Sequence, residues 1–450
     1  MRVGAPMSRS KLSLDDAKRI VDHAAANGFA AVSLTGGEPL LHIDEIVEVL
    51  RHAGRAGIRF LRTGTNGFLL RAPGRKGWRD RAGAVAEKLA GTPLRNLWIS
   101  LDSADPDSHD KLRGLPGVSE GIEKSLPIFH GHGIYPAANL GLNRYLGGMG
   151  PGSVLTRIGA DGGKALDGEC ERFLETACRG LSKFIRRAVD MGFTMMNMCY
   201  PMSCEPYDSQ RADAAYAAIS SDLMIRFSPL ERSLLLEAVR RTVPRFRSEI
   251  RVFSPLSSIR ALIRSGFRNV PQGGKSRSFP CRGGADFFFV DAADCQTYAC
   301  GYRSSPALGK FWDLDLSRPP LPADCRSCDW ECFRDPSELL GPFSAAVRSP
   351  LGLLRRLLSA RAESAIWRND LRYYLACGLF DGRGPPDPGK LQAFGRKRTL
   401  REAETGMEVA SFSISTSTDS PRRNHEDRHA RSLDVLEEAS AMGASQAWDQ

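Results

Sequence analysis

Short apolar runs alternate with amphipathic helical stretches through the first 260 residues, and this alternation restricts the fold more than any other feature. Ser13 and Asp16 form a capping-box pattern, and behind it Leu14, Ala17, Ile20, Val21, Ala24 and Ala25 recur at helical spacing up to Gly28. Residues 30–34 then read as a buried strand. A second helix carries Ile43, Ile46, Val47, Leu50 and Ala53 on one face, and residues 58–61 read as the next strand. The unit repeats: an Arg-rich insertion at 71–81, helix 82–90, strand 97–101, helix 119–130, strand 134–140. A Gly-rich loop at 147–168, a helix at 171–191 and a strand at 193–198 follow. The amphipathic stretch 209–247 leads to a last strand at 250–253. Regular alternation of this kind predicts a parallel sheet covered by helices, because parallel strands need crossovers. Both a partial barrel and a doubly wound sheet fit.

From residue 271 the texture changes to Gly, Cys, Phe and turn residues, up to about residue 341. Helices follow at 343–360 and 363–377. The end, from residue 394, is charged, rich in Ser and Thr and poor in aromatics, which predicts a largely disordered tail.

Composition removes several classes of function. Basic residues number 62 against 52 acidic, a net charge of +10. The excess is scattered Arg with no block beyond Arg396-Lys397-Arg398, so solvated helix faces explain it and no nucleic-acid partner is expected. No run of about 18 uncharged apolar residues occurs, so no membrane span is expected. No apolar run follows the positive charges of the N-terminus, so no secretory signal is expected, and the predicted location is cytoplasmic. The 11 cysteines are an odd number without an export signal, which argues for a metal or catalytic site over a disulfide framework.

In a parallel α/β fold, ligands gather where strands end. After the first strand come Thr35-Gly36-Gly37-Glu38-Pro39. The glycines let a ligand approach the backbone, Glu38 offers a carboxylate suited to an ammonium group, and Pro39 stiffens the turn. The next strand ends in Thr63-Gly64-Thr65-Asn66-Gly67, and the third in Ser100-Leu101-Asp102-Ser103, followed by His109, Asp110 and Arg113-Gly114. Asn139 closes another strand. A tight turn or a helix cap would account for each of these alone; together they form a polar rim. Six cysteines, Cys281, Cys295, Cys300, Cys325, Cys328 and Cys332, lie in the Cys-rich segment. Such thiol density points to zinc or an iron–sulfur cluster, which spacing does not separate.

With these pieces in view, the chain resembles the radical S-adenosylmethionine (radical SAM) superfamily, over residues 13–332. Gly36-Gly37-Glu38-Pro39 is similar to the family motif that holds the methionine amino group of the cofactor. Thr65-Asn66-Gly67 and Ser100-Leu101-Asp102 with the downstream His109 to Gly114 are also similar. Cys281-Arg-Gly-Gly, Tyr298-Ala-Cys300-Gly-Tyr and Cys325, Cys328 and Cys332 resemble the auxiliary-cluster extension called SPASM, or its shorter twitch form. The resemblance implies a partial (β/α)6 TIM-like barrel lacking its first strand, plus a small Cys-rich C-terminal domain. It implies reductive cleavage of S-adenosylmethionine and hydrogen abstraction from a small-molecule or peptide substrate, with [4Fe–4S] clusters and an external electron donor. Gly36, Gly37, Glu38, Pro39, Asn66, Ser100 and Asp102 would bind the cofactor; Cys281, Cys300, Cys325, Cys328 and Cys332 would bind metal; no catalytic residue is assigned.

The family's Cys-x3-Cys-x2-Cys loop should precede the Ser13 helix, yet residues 1–12 hold no Cys. A barrel without its first strand exposes an edge, so an incomplete N-terminus is expected. The alternative is a non-catalytic, metal-binding remnant or interaction protein. The expected organisation is a remnant of the N-terminal loop at 1–12, the partial barrel at 13–255, the Cys-rich domain at 271–341, helices at 342–393 and the tail at 394–450.

Overall fold

The computed structural model describes residues 11–146, 163–201, 224–265, 279–301, 306–321, 325, 330–392 and 394. The expectations for residues 1–10, most of the 147–168 loop, the start of the 209–247 stretch, Cys328 and the tail beyond 394 lie outside these residues.

Six strands and their crossover helices alternate along the described residues. α1 (Leu14–Ala26) begins where the Ser13 hydroxyl accepts the Asp16 N–H at 3.0 Å. β1 (Ala31–Leu34), α2 (Ile43–Arg55), β2 (Phe60–Thr65), α3 (Trp78–Ala90) and β3 (Leu94–Leu101) come next. Then come α4 (Pro106–Arg113), α5 (Val118–Gly131), β4 (Ala137–Gly141), α6 (Gly163–Met191), β5 (Met195–Cys199), α7 (Pro229–Phe246), β6 (Arg251–Val252) and α8 (Leu256–Ser265). All neighbouring strands pair in parallel and in chain order, β1 to β6. A doubly wound sheet would reverse its strand order at a switch point. No reversal occurs here, and the architecture is a partial (β/α)6 barrel.

Side-chain alternation gives the sheet two unlike faces. Leu97, Ile99, Leu101, Ala138, Leu140, Met196 and Met198 are buried against the helices. Between them Asn96, Trp98, Ser100, Asn139, Asn197 and Cys199 remain partly accessible on the inner face. Complete α/β barrels fill this face with interlocking branched side chains; here it is polar.

Several elements depart from expectation: α6 begins at Gly163, inside the expected 147–168 loop, and the helix expected at 343–360 is two, Glu331–Arg348 and Pro350–Ser359, the first starting inside the Cys-rich segment. β2 starts at Phe60 and runs to Thr65, two residues later than the 58–61 reading. Ile58 lies just past α2, where its N–H closes the helix end by donating to Ala53 O at 3.0 Å. α4 was read as rim residues only; it is short and polar, and forms because Asp105 accepts the Ser108 N–H at 2.8 Å and Pro106 opens the first turn.

The Cys-rich segment contains a two-stranded hairpin of β7 (Phe289–Val290) and β8 (Thr297–Tyr298). It packs on α1: Phe29 meets Phe288 at 5.9 Å, His23 meets Phe311 at 5.5 Å, and Arg19 lies 4.1 Å over Trp312. Three helices follow, α9 (Glu331–Arg348), α10 (Pro350–Ser359) and α11 (Arg361–Ala376). α11 docks on the far end of the sheet. Its Asp370 pairs with Arg247 at 2.9 Å, both side chains being out of solvent. Its Tyr373 hydroxyl donates to Ile250 O at 3.0 Å and accepts from Val252 N–H at 2.9 Å. Those two bonds occupy backbone groups of β6 that a seventh strand would otherwise take. A second solvent-free pair, Arg144 with Glu231 at 2.7 Å, ties the end of β4 to α7. The described residues all belong to one compact unit.

Candidate functional site

The turn after β1 holds the densest polar geometry at the rim. Gly36 has φ +149°, a backbone state that other residues rarely adopt, and no atom lies within 4 Å of where a Cβ would stand on it. The backbone there is open to a ligand. Glu38 follows in extended conformation and caps the 3-10 turn Pro39–His42. Its Oε1 accepts the Leu40 N–H at 3.2 Å and the Thr65 hydroxyl at 2.7 Å. Its Oε2 accepts the Asn66 N–H at 2.6 Å. The carboxylate thus bridges the ends of β1 and β2, held by donors on three sides. Burial pushes its pKa up, while the Asn66, Thr65 and Leu40 bonds pull it down. A carboxylate fixed in this way and partly desolvated suits an ammonium ion. The donor set and the open glycine turn therefore fit the methionine amino end of S-adenosylmethionine.

The other expected cofactor residues are engaged with the fold to different degrees. Asn66 contributes its backbone N–H to Glu38, while its side-chain oxygen accepts the Phe68 N–H at 2.8 Å and so shapes the turn. Asp102 is buried and clamped by Arg113, whose Nη2 donates to Oδ1 at 2.8 Å while Nε stands 2.6 Å from Oδ2. Its backbone N–H donates to His109 Nδ1 at 3.1 Å and its carbonyl accepts from Asn143 at 2.7 Å. Asp102 thus orders the end of β3. Ser100 is half-buried on the inner face, in register with Asn139, which is in register with Asn197. Asn197 donates to Asn139 Oδ1 at 2.6 Å.

The cysteines divide into two places. Cys281, Cys300 and Cys325 share an apolar cluster with Phe287, Trp330 and Phe333. The Cys281 N–H donates to Cys325 O at 2.8 Å, and burial raises the Cys281 thiol. Cys332, on the first turn of α9, is absent from that cluster. It is accessible at the mouth of the inner face yet crowded by protein. Its neighbours are Glu331, Arg62 and Asp335, and the crowding, then the Glu331 charge, pushes its pKa up to about 12. Cys199, at the end of β5, is also raised well above the ordinary thiol value, by burial first and then by Glu331 and Cys332. Cys295 stands at φ +56° in the β7–β8 turn, apart from both groups. Among the described residues, no three His, Cys, Asp or Glu side chains stand close enough to hold a metal ion. The chemistry of the three clustered thiols fits a thiolate-bound centre, but their present arrangement does not close one. No Cys-x3-Cys-x2-Cys run occurs in the sequence.

The sequence includes Thr65 in its strand-terminal motif without marking a role for it, and does not single out Arg62, Trp98, Asn197, Cys199 or Glu331. Thr65 was legible, being the strand-terminal hydroxyl beside Asn66. The inner-face residues lie inside strands, where a polar side chain between apolar neighbours reads as ordinary alternation.

Part of the chain is similar to known proteins. The sequence model of the Radical SAM superfamily matches residues 5–148, and this stretch is a radical SAM domain. The AdoMet-dependent heme synthase of Methanosarcina barkeri is 34% identical over 110 residues, 24% of this chain and 28% of that protein. The GTP 3',8-cyclase of Microcystis aeruginosa is 44% identical over 93 residues, 20% of this chain and 24% of that protein. The chain therefore spans about a quarter of the length of these relatives. Streptococcus suis SuiB aligns with TM-score 0.42 at 12% identity, covering 75% of this chain and 69% of SuiB. Among the described residues no helix is long and apolar enough to cross a membrane.

Proposed function

Taking the radical SAM domain of residues 5–148 as the premise, we propose that the chain is an S-adenosylmethionine-dependent radical enzyme acting on a small-molecule or peptide substrate. The observation that carries this reading is Glu38, a partly buried carboxylate fixed by Leu40, Thr65 and Asn66 beside the open turn at Gly36. When bound beside a reduced iron–sulfur cluster, the cofactor supplies a radical that abstracts hydrogen. The chain's own part is to bind and orient. Glu38 takes the ammonium group, Gly36 and Gly37 leave room for it, and Pro39 stiffens the turn. Thr65 and Asn66 hold the Glu38 carboxylate in place. Ser100 faces the same rim, and Asp102 acts through Arg113 by ordering the end of β3.

The proposed domain boundaries are 13–255 for the barrel, 271–341 for the Cys-rich segment and 342–393 for the closing helices. Within the Cys-rich segment the proposed metal ligands are Cys281, Cys300 and Cys325, completed by Cys328 or Cys332, with an external donor supplying electrons. The test is cofactor binding by the full chain, purified without oxygen. Glu38→Gln should weaken S-adenosylmethionine binding about tenfold or more, since it removes a charge-assisted contact. Equal binding by both proteins overturns the reading.

A second reading rests on the clustered thiols Cys281, Cys300 and Cys325 alone. In it the chain is a metal-binding interaction protein that retains the pocket without the chemistry. Metal analysis separates the two: iron with sulfide and reductant-dependent cofactor cleavage favours the enzyme, one zinc without cleavage the second reading.

A further inference from the structure

The inner face of the sheet holds a cation that the cofactor reading does not use. In the β2–β3 register, Arg62 lies opposite Asn96 and Gly64 opposite Trp98. A Cβ on Gly64 would fall 2.0 Å from the Trp98 ring, so glycine at this position is what lets the indole lie flat against β2. The Arg62 guanidinium sits on that indole, 4.6 Å from its centroid. Its Nε is shut off from solvent without a hydrogen-bond partner, and no described residue forms an ion pair with it. Further along the same face stand the Asn139–Asn197 pair and Ser100. The amide pair spends one donor and one acceptor on itself and leaves groups of both signs for a ligand.

A guanidinium laid on an aromatic plate with its Nε buried and unbonded is incomplete, because the fork is built for two parallel bonds to an oxyanion. Its surroundings select the anion. Glu331 lies beside both Cys199 and Cys332 on this face, so the region already carries a negative charge. A planar monoanion suits one guanidinium there better than a dianion such as phosphate.

We propose that Arg62 anchors the substrate by a carboxylate, with Asn139 and Asn197 bonding an amide of the same molecule, so that the substrate class is an acylated amino acid or a peptide. This rests on the reading of the rim as a cofactor site, and the experiment keeps the two apart. The probes are glutarate, N-acetylglycine, N-acetyl-4-aminobutyrate and inorganic phosphate, titrated calorimetrically into the full chain purified without oxygen. S-adenosylmethionine is titrated in parallel. At least one carboxylate should bind in the millimolar range, about tenfold or more weaker to Arg62→Gln, and partly recovered in Arg62→Lys. S-adenosylmethionine affinity should be equal in the parent and in Arg62→Gln.

The proposal is overturned if no carboxylate binds up to roughly 20 mM, if Arg62→Gln binds as the parent does, or if phosphate binds more tightly than every carboxylate. It is also overturned if Arg62→Gln loses S-adenosylmethionine by the same factor, since the anion would then be the cofactor's own carboxylate. Failure of S-adenosylmethionine to bind while a carboxylate still binds through Arg62 would strike the cofactor reading and leave this one standing.

Discussion

Glu38 shows how a single side chain joins local structure to ligand chemistry. Its burial raises its pKa, so it keeps its proton to a higher pH than a free carboxylate does. A folded-state pKa above the unfolded one adds stability at low pH that fades as pH rises through the folded value. Ligand binding runs the other way, because an ammonium partner needs the ionised form. S-adenosylmethionine affinity measured against pH should therefore fall on acidification, starting above the ordinary carboxylate range, and Glu38→Gln should remove that limb. Gly64 makes a second residue-scale prediction. With the Trp98 ring 2.0 Å from its missing Cβ, Gly64→Ala must displace the indole, at a cost of about 1–3 kcal/mol. The check is the thermal midpoint, together with the Trp98 fluorescence taken as the difference from Trp98→Phe.

At the scale of elements, α4 depends on a histidine that must stay neutral. His109 is buried, its Nδ1 accepts the Asp102 N–H, and burial lowers its pKa to about 4 against the pull of Asp102. The unfolded chain binds this proton near pH 6.5. Between those values the unfolded state holds more protons, so stability rises with pH and is lost as pH falls from 6.5 towards 4. The loss amounts to roughly 3 kcal/mol. His109→Asn, which keeps a side-chain acceptor, should flatten that part of a stability-against-pH curve.

The elements also show what the sequence reveals. Strand and helix spacing is written in apolar periodicity, and it yields β1, β3, β4 and β5 nearly in place. β2 is displaced in that reading because Arg62, Thr63 and Thr65 interrupt the apolar run that marks a strand. α4 escapes because its stability comes from a cap and a proline instead of an apolar face. The Glu38 turn is legible because strand ends are where ligands meet this fold. The Arg62–Trp98 stack is not, because it depends on register between two strands. Cysteine spacing groups Cys332 with its neighbours, yet the first turn of α9 carries it to the inner face, and spacing does not encode the direction of a helix.

In the molecule as a whole, α7 is held to the C-terminal helices by an ion pair out of reach of water. Arg247 ends α7 and meets Asp370 of α11, whose other oxygen accepts the Ser257 N–H at the start of α8 at 2.8 Å. Breaking such a pair strands a buried charge, which typically costs about 3–5 kcal/mol. Asp370→Ala should lower the denaturant midpoint accordingly, while exposed pairs such as Lys88 with Asp44 should contribute little when removed.

Tyr373 gives that junction a meaning beyond strength. A strand edge is a template, and whatever offers it matching donors and acceptors can extend it. At β6 one phenol has taken the place of an entire neighbour, so lengthening the barrel on that flank would first require evicting α11. The polypeptide has in effect written a full stop at one end of its sheet, and growth or mispairing there is blocked by a single oxygen atom.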